Sequence, residues 1–432
     1  MHVPSRRLRN SAVVALTAVM ALGLAAGCSK KNDAPAGDGQ LKLVVDTFGE
    51  FGYKALAKEY ESAHPNIKVQ LRSIEKLDDY KPKLTQYLAA GSGAGDVVAL
   101  EEGILTEFKT QPQNFVDLNQ FGGGDLAKDY LPWKFEQGKA SNGQLIGLPT
   151  DVGGLGVCYR RDLFEKAKLP TDRAEVSKLW TTWDDFIATG QRFNAGGSGA
   201  AFLDSTTTAF NAMLAQFGDT NFYDRNNNLI ADSNPSVRKA WDYTMSMIDK
   251  GISAKVTTWS NEWQAGFKNA SFAVTFCPSW MRGIIKTNAG DASTGKWDIA
   301  DVPGGGGNWG GSFLAVPKQS RHAKEAYELA KFLTSAHGQI GAFNESGPLP
   351  SNLGALDDAT FKATTDPYFN NAPVGVIYGA GAKALKPVYR GPKHQAVLDR
   401  AFQPAIQSVE QGKAKADEAW KNALDAAKKE AK

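Results

Sequence analysis

The chain has 432 residues, 42% of them hydrophobic, with 44 glycines, ten tryptophans, five histidines and three cysteines. That length suffices for two domains with substantial cores, and the composition is that of an ordinary globular protein with many turns. A formal charge of +3, with acidic and basic residues interspersed, argues against a nucleic-acid partner.

The first segment is a targeting signal. His2, Arg6, Arg7 and Arg9 form a basic start, and residues 12–26 are an apolar run of small residues and leucines. A comfortable membrane span needs about 20 such residues, so this run is short for one. It ends in Leu24–Ala25–Ala26–Gly27–Cys28, which resembles a lipoprotein signal with cleavage before Cys28 and lipidation of its thiol. Arg6–Arg7 suggests twin-arginine export, but the residues after the pair fit general secretion better. Residues 28–40 then read as a flexible tether, which places the globular body at the outer face of the cell membrane.

From residue 41 the pattern alternates. Leu41–Val45 is a strand that leaves through Phe48 and Glu50. Tyr53, Leu56, Ala57 and Tyr60 share one helical face, and Ile67–Leu71 alternates as a strand. Residues 79–90 return to the helical period and stop at Gly91. Val97–Leu100 is a buried strand with Glu101 and Glu102 at its tip. Strands and helices in this order build a mainly parallel sheet, whose ligands gather beyond the carboxyl ends of the strands. Phe48, Glu50, Glu101 and Glu102 are therefore candidate contacts.

Residues 143–154 make a first crossing, with Pro149 as punctuation and with Gly153, Gly154 and, just beyond, Gly156 loosening the backbone after it. Asp151 lies within it, where a carboxylate would face a gap between two lobes. Beyond it, Thr182 and Asp185 form a capping box, and Ala200–Asp204 is a strand with a carboxylate at its exit. Asp224–Asn228 is a turn, Pro235 opens a helix that ends at Gly251, and residues 271–280 run as a strand to Trp280. A second glycine-rich crossing, residues 304–317, contains Trp309, Gly311 and Ser312. A helix comes next over 324–335, then a loop at 345–350 and closing helices over 395–411 and 417–431. Cys158 and Cys277 both lie in apolar strands, which leaves two states open: a disulfide or two buried thiols.

The order of these segments resembles the family 1 extracellular solute-binding proteins, the sugar-capturing components of ABC importers, a group that includes the maltose-binding protein. The resemblance is carried by residues 66–69, 143–149, 158–164, 267–274, Pro278–Trp280, Gly310–Ser312 and the closing helices. It covers essentially all of the mature chain. It implies an α/β, two-lobed periplasmic-binding-protein-like fold of the class II type, each lobe a mainly parallel sheet flanked by helices and joined by hinge crossings. The implied division is 41–150 with 313–375 as lobe one, and 151–312 with 376–432 as lobe two. Carried over by position, the resemblance implies ligand contacts at Phe48, Glu50, Glu101 or Glu102, Asp151, Asp204, Trp280, Gly311 and Ser312, with a late aromatic at Tyr378 or Tyr389. The family's usual Tyr-Asn pair after the first hinge reads Tyr159–Arg160 here.

Sugars present hydroxyls and apolar C–H faces together, so their sites combine carboxylates, amides and flat aromatics. Trp259, Trp263, Trp280 and Trp309 fall around the predicted cleft loops, and Trp263, Trp309 and Arg390 join the candidates. A secreted glycoside hydrolase using cleft carboxylates is the rival class, and a binding protein for a polyamine is the rival cargo. The chain has no G-x-S-x-G, H-E-x-x-H or Walker loop, so no enzyme activity, metal or cofactor is expected. The expected partners are a β-linked di- or oligosaccharide (cello-, xylo- or chito-type), the permease subunits of an ABC importer and, through the anchor, the membrane. The protein is expected to be a monomer.

Overall fold

The structure, a computed structural model, describes residues 40–432; the signal, Cys28 and nearly all of the tether lie outside the described residues. The first sheet contains β1 (Leu41–Phe48), β2 (Ile67–Ile74), β3 (Val97–Glu101), β4 (Leu148–Pro149) and β10 (Ser312–Ala315), in the order β2-β1-β3-β10-β4. The second contains β6 (Val157–Arg160), β7 (Ala201–Leu203), β8 (Phe272–Phe276) and β9 (Trp297–Ala300), in the order β7-β8-β6-β9. Between them, β5 (Asp151–Val152) pairs with β11 (Leu349–Pro350).

Each sheet is a filling between two apolar cores, because side chains alternate along a strand. On β3, Val97 and Ala99 enter one core while Val98 and Leu100 enter the other. On β6, Val157 and Tyr159 face one core and Cys158 the opposite one. The result is two lobes, each a sheet covered by helices on both faces. The sheets are mixed rather than mainly parallel. In each lobe the strand arriving from the hinge, β10 in lobe one and β6 in lobe two, runs antiparallel to its neighbours. A chain that enters a lobe from the hinge side must run against strands that end there.

Most local signals operate as read. The helix after β1, α1 (Lys54–Ala63), buries Leu56, Ala57 and Tyr60; α2 (Leu77–Ala90) closes on Gly91 in the left-handed conformation at φ 64°. Both halves of the capping box form between Thr182 and Asp185. Three expectations change. The closing helix at 395–411 is broken by a π-helical turn over Leu398–Phe402, next to Pro404, which has no N–H to continue the ladder. The loop at 345–350 contains β11, which pairs with β5 between the lobes. Residues 353–375 pack on lobe two rather than lobe one: Phe361, Phe369 and Val374 share a core with Trp297 and Ile285, and Asp366 pairs with Arg282 at 2.7 Å.

Gly153 is demanded by contact rather than by swivel. The two crossings touch there, and a Cβ on it would lie 1.8 Å from the Trp309 carbonyl oxygen. Cys158 and Cys277 are joined as a disulfide between β6 and the end of β8, across 119 residues of sequence. Cross-linking a loop of that size restricts the unfolded chain by roughly 4–5 kcal/mol. Replacing both cysteines by Ala is expected to cost about that much stability, read as a lower midpoint in denaturant unfolding.

Candidate functional site

The site grows from the tip of β3, where Glu101 caps α3 (Glu102–Phe108) by accepting from the Gly103 N–H at 2.5 Å. Its neighbour Glu102 is buried and bonded to lobe and crossing alike. Lys134 Nζ donates to it at 3.0 Å, Asn308 Nδ2 at 3.0 Å and Gln137 Nε2 at 3.3 Å. Lys134, on α4 (Pro132–Gln137), is fully buried and lies 4.5 Å from the Phe313 ring centre. Asn308 belongs to the second crossing, and its Oδ1 accepts from Gly153 N–H in the first at 2.8 Å. Asp151 accepts from Thr150 Oγ1 at 2.6 Å and from Ser312 N–H at 2.9 Å. The Gly311 carbonyl takes the Glu102 N–H, and a Cβ on Gly311 would stand 2.8 Å from Lys134 Nζ. Glu102, Asp151, Gly311 and Ser312, all expected as ligand contacts, therefore bind the two crossings to each other and to lobe one.

Glu101 is different. Arg390, arriving from lobe two, reaches 3.8 Å from Glu101 Oε1 and 3.7 Å from Glu102 Oε1. Gly310, at φ 89°, brings the chain so close that a Cβ there would stand 3.4 Å from Trp280 Nε1 and 3.9 Å from Glu101 Oε1. Glu101 and the edge of Trp280 therefore both flank Gly310. Trp280 Nε1 donates to the Trp309 carbonyl at 3.1 Å, and the two indoles meet edge to face at 5.9 Å. Trp259 lies nearly parallel to Trp280, 6.2 Å away, on a backbone at φ 68°, rare for so bulky a residue. All three rings are half-buried.

Electrostatics separates the two glutamates. Burial raises both, but Lys134, Arg390 and Asn308 together hold Glu102 below its ordinary value. Burial dominates at Glu101, opposed by Arg390 and reinforced by the Glu102 charge, and pushes it to about 7.

The other expected contacts lie elsewhere. Asp204 is fully buried, accepting from Trp263 Nε1, Thr275 Oγ1 and Thr208 Oγ1; burial pushes it to about 6 despite those donors. Trp263 is fully buried with it, so both are core residues beneath the tryptophans. Glu50 is in solvent, paired with Lys54 at 3.0 Å, and Phe48 packs on Phe51 and Tyr80 within lobe one. Tyr389 gives its hydroxyl to Asn227 at 2.7 Å, and Tyr378 is buried with its hydroxyl on the Cys277 carbonyl. Lys134 and Asn308 carry no signal in the sequence; a buried lysine on a short helix leaves no pattern that separates it from a solvent-facing one. At the cleft mouth, Gln264 Nε2 donates to Glu75 Oε1 at 3.1 Å, a second contact between lobes. Among the described residues, no group of three or more His, Cys, Asp or Glu is placed to hold a metal, and no helix is long and apolar enough to cross a membrane.

Two sheet-and-helix lobes joined by crossings, with indoles, a carboxylate and a guanidinium where the lobes meet, make a solute-binding architecture. The family model for bacterial extracellular solute-binding proteins matches residues 55–369, and the chain belongs to that family. It is similar to the arabinooligosaccharide-binding protein of Bacillus subtilis (strain 168), 28% identical over 388 residues covering 84% of this chain and 86% of that protein. It is also similar to the lactose-binding protein of Rhizobium radiobacter, 26% identical over 340 residues, or 75% of each. Among solved structures, an extracellular solute-binding protein of family 1 superposes with a TM-score of 0.79 at 40% identity, covering 91% of this chain and all of that one. The binding protein of B. animalis subsp. lactis Bl-04 in complex with beta-1,6-galactobiose shares the fold, with a TM-score of 0.76 at 24% identity over 91% of this chain and 98% of that one.

Two outcomes test this geometry. Lys134→Met leaves Glu102 buried without its cation and is expected to cost about 3–5 kcal/mol, measured by denaturant unfolding. For Glu101 the folded pKa lies above the unfolded one, so the folded state takes up a proton as pH falls and gains stability. The gain is absent well above pH 7 and complete below the unfolded value of 4.5. His394, held well below its ordinary value by burial, opposes this below about pH 6.5. The comparison that isolates Glu101 is therefore wild type against Glu101→Gln. Their stability difference is expected to shift by about 1 kcal/mol in favour of wild type between pH 8 and pH 6.

Proposed function

We propose that this protein is the carbohydrate-binding component of an ABC importer, holding a di- or oligosaccharide between its lobes and handing it unaltered to the permease subunits. The observation that carries this reading is the Trp280–Trp309 corner, with Glu101 flanking the same glycine, Gly310. Indole faces suit the C–H faces of a pyranose, and an adjacent carboxylate suits its hydroxyls. Trp259 extends the aromatic wall beside Trp280 by a second ring, which favours a ligand longer than one sugar, and we take that ligand to be a β-linked chain. The relatives named for arabinooligosaccharide and lactose support the sugar class. Cys28 would carry the lipid that keeps the monomer at the membrane's outer face.

A hydrolase would need two free carboxylates flanking the scissile bond, about 5–10 Å apart. Of the carboxylates expected in the cleft, Asp204 lies under Trp263 with its oxygens occupied, and Glu102 is held by Lys134 and Asn308. That arrangement favours binding without turnover.

Tryptophan fluorescence titration against mono-, di- and trisaccharides tests the reading, with product analysis in the same tubes. Trp280→Ala is expected to weaken binding roughly 10- to 100-fold with an unchanged unfolding midpoint. Unchanged affinity would return Trp280 to a packing role, and released monosaccharide would replace binding with hydrolysis.

A further inference from the structure

The lobes also meet away from the indole corner. The helical turn His394–Val397 and the π-helical turn Leu398–Phe402 are rooted in the lobe-two core through Val397, Leu398, Ala401 and Phe402. Their other side packs on α3 of lobe one, where Gln395 Oε1 leaves no room for a Cβ on Gly103. Asp399 holds that glutamine in place, accepting from its Nε2 through Oδ1 at 3.0 Å and Oδ2 at 2.9 Å. The cations that act on Asp399 are committed elsewhere: Lys81 of α2 to Glu107 of α3 at 2.7 Å, and Arg400 to Glu430 at 3.2 Å. Asp78, also on α2, faces it with a like charge. A half-buried carboxylate of lobe two thus lies against lobe one, with an amide as its donor and an anion among its neighbours.

We propose that Gln395 and Asp399 form a proton-linked latch between the lobes: closing covers this carboxylate with α2 and α3, and mildly acidic surroundings favour the closed form. The latch concerns the lobes alone and stands apart from which cargo they hold. Its physical cause is desolvation. Burial, opposed by the Gln395 amide, reinforced by Asp78 and opposed again by Lys81 and Arg400, pushes Asp399 to about 6. Opening withdraws α2 and α3, returns the carboxylate to water and lowers it towards its ordinary 3.8. The closed form therefore binds the extra proton. It gains on the open form as pH falls through 6, and the gain is complete below 3.8. His394, one turn earlier, is held well below its ordinary value by burial and by Arg390, so it stays neutral across most of this range. Glu101, at about 7, titrates in the same window and is bonded to the N–H of the same Gly103, so a variant comparison is needed to separate the two carboxylates.

The test is single-molecule energy transfer between dyes on Lys58→Cys in lobe one and Lys268→Cys in lobe two, both exposed positions. It reads the ratio of closed to open molecules without ligand. Between pH 7.5 and pH 5.0 that ratio is expected to rise about tenfold more with Asp399 in place than in Asp399→Asn. A purely structural contact would instead shift Asp399→Asn equally at both pH values. Asp78→Asn, at an exposed site, removes the like charge and is expected to reduce the rise at least about twofold. If Asp399→Asn does not fold, Asp78→Asn decides alone. A pH response unchanged in the deciding variant overturns the latch and leaves the carbohydrate reading intact. Failure to bind any sugar overturns that reading and leaves the latch standing.

Discussion

The buried pair Glu102–Lys134 is the constraint on which the interlobe geometry depends. A lysine with no exposed surface is tolerable only beside an anion, and this anion sits at the end of β3, where lobe one meets the cleft. The same carboxylate takes Asn308, and Asn308 takes Gly153, so one charge fixes the strand tip and both crossings. Backbone bonds on either side of Gly310, from Trp309 to Gly153 and from Glu102 to Gly311, then set it between Glu101 and Trp280. The place of the indole corner follows from how the crossings are fastened.

This division of labour between neighbours explains what could be read in the sequence. Strand, helix and crossing order was legible because period-two and period-3.6 patterns, proline punctuation and a capping box are local signals. Trp280 was legible from its place after an apolar strand. Glu101 and Glu102 were legible as a pair but not as opposites: successive residues point to different sides, and only the third dimension shows which side holds Lys134. Asp204 and Trp263 were misread for a related reason. A carboxylate at a strand exit can point into the cleft or back beneath it, and here it turns back to collect three donors. Residues 353–375 belong with lobe two although sequence order places them after lobe-one helices, because their apolar faces fit the outer side of the other sheet.

The lobes share apolar packing, with Phe343 on Phe361 at 4.9 Å between ring centres, and meet elsewhere through polar contacts. Gln264 meets Glu75 near solvent, and Arg390 approaches the two glutamates without completing a bond. Polar contacts of this quality hold the lobes only weakly by themselves, so on the proposed sugar-binding reading a ligand adds to them across both faces. The strain at Trp259, a bulky residue in the left-handed region, is consistent with a surface shaped for its guest rather than for stability alone.

The bond between Cys158 and Cys277 also bears on how the molecule comes into being. Lobe one can pair β1, β2 and β3 from its first sixty or so described residues, whereas the covalent closure of lobe two waits for the arrival of Cys277 and for an oxidising surrounding. Maturation therefore has two late steps: lobe one is completed only when β10 arrives, after Cys277, and lobe two is sealed by a bond that needs surroundings outside the reducing interior.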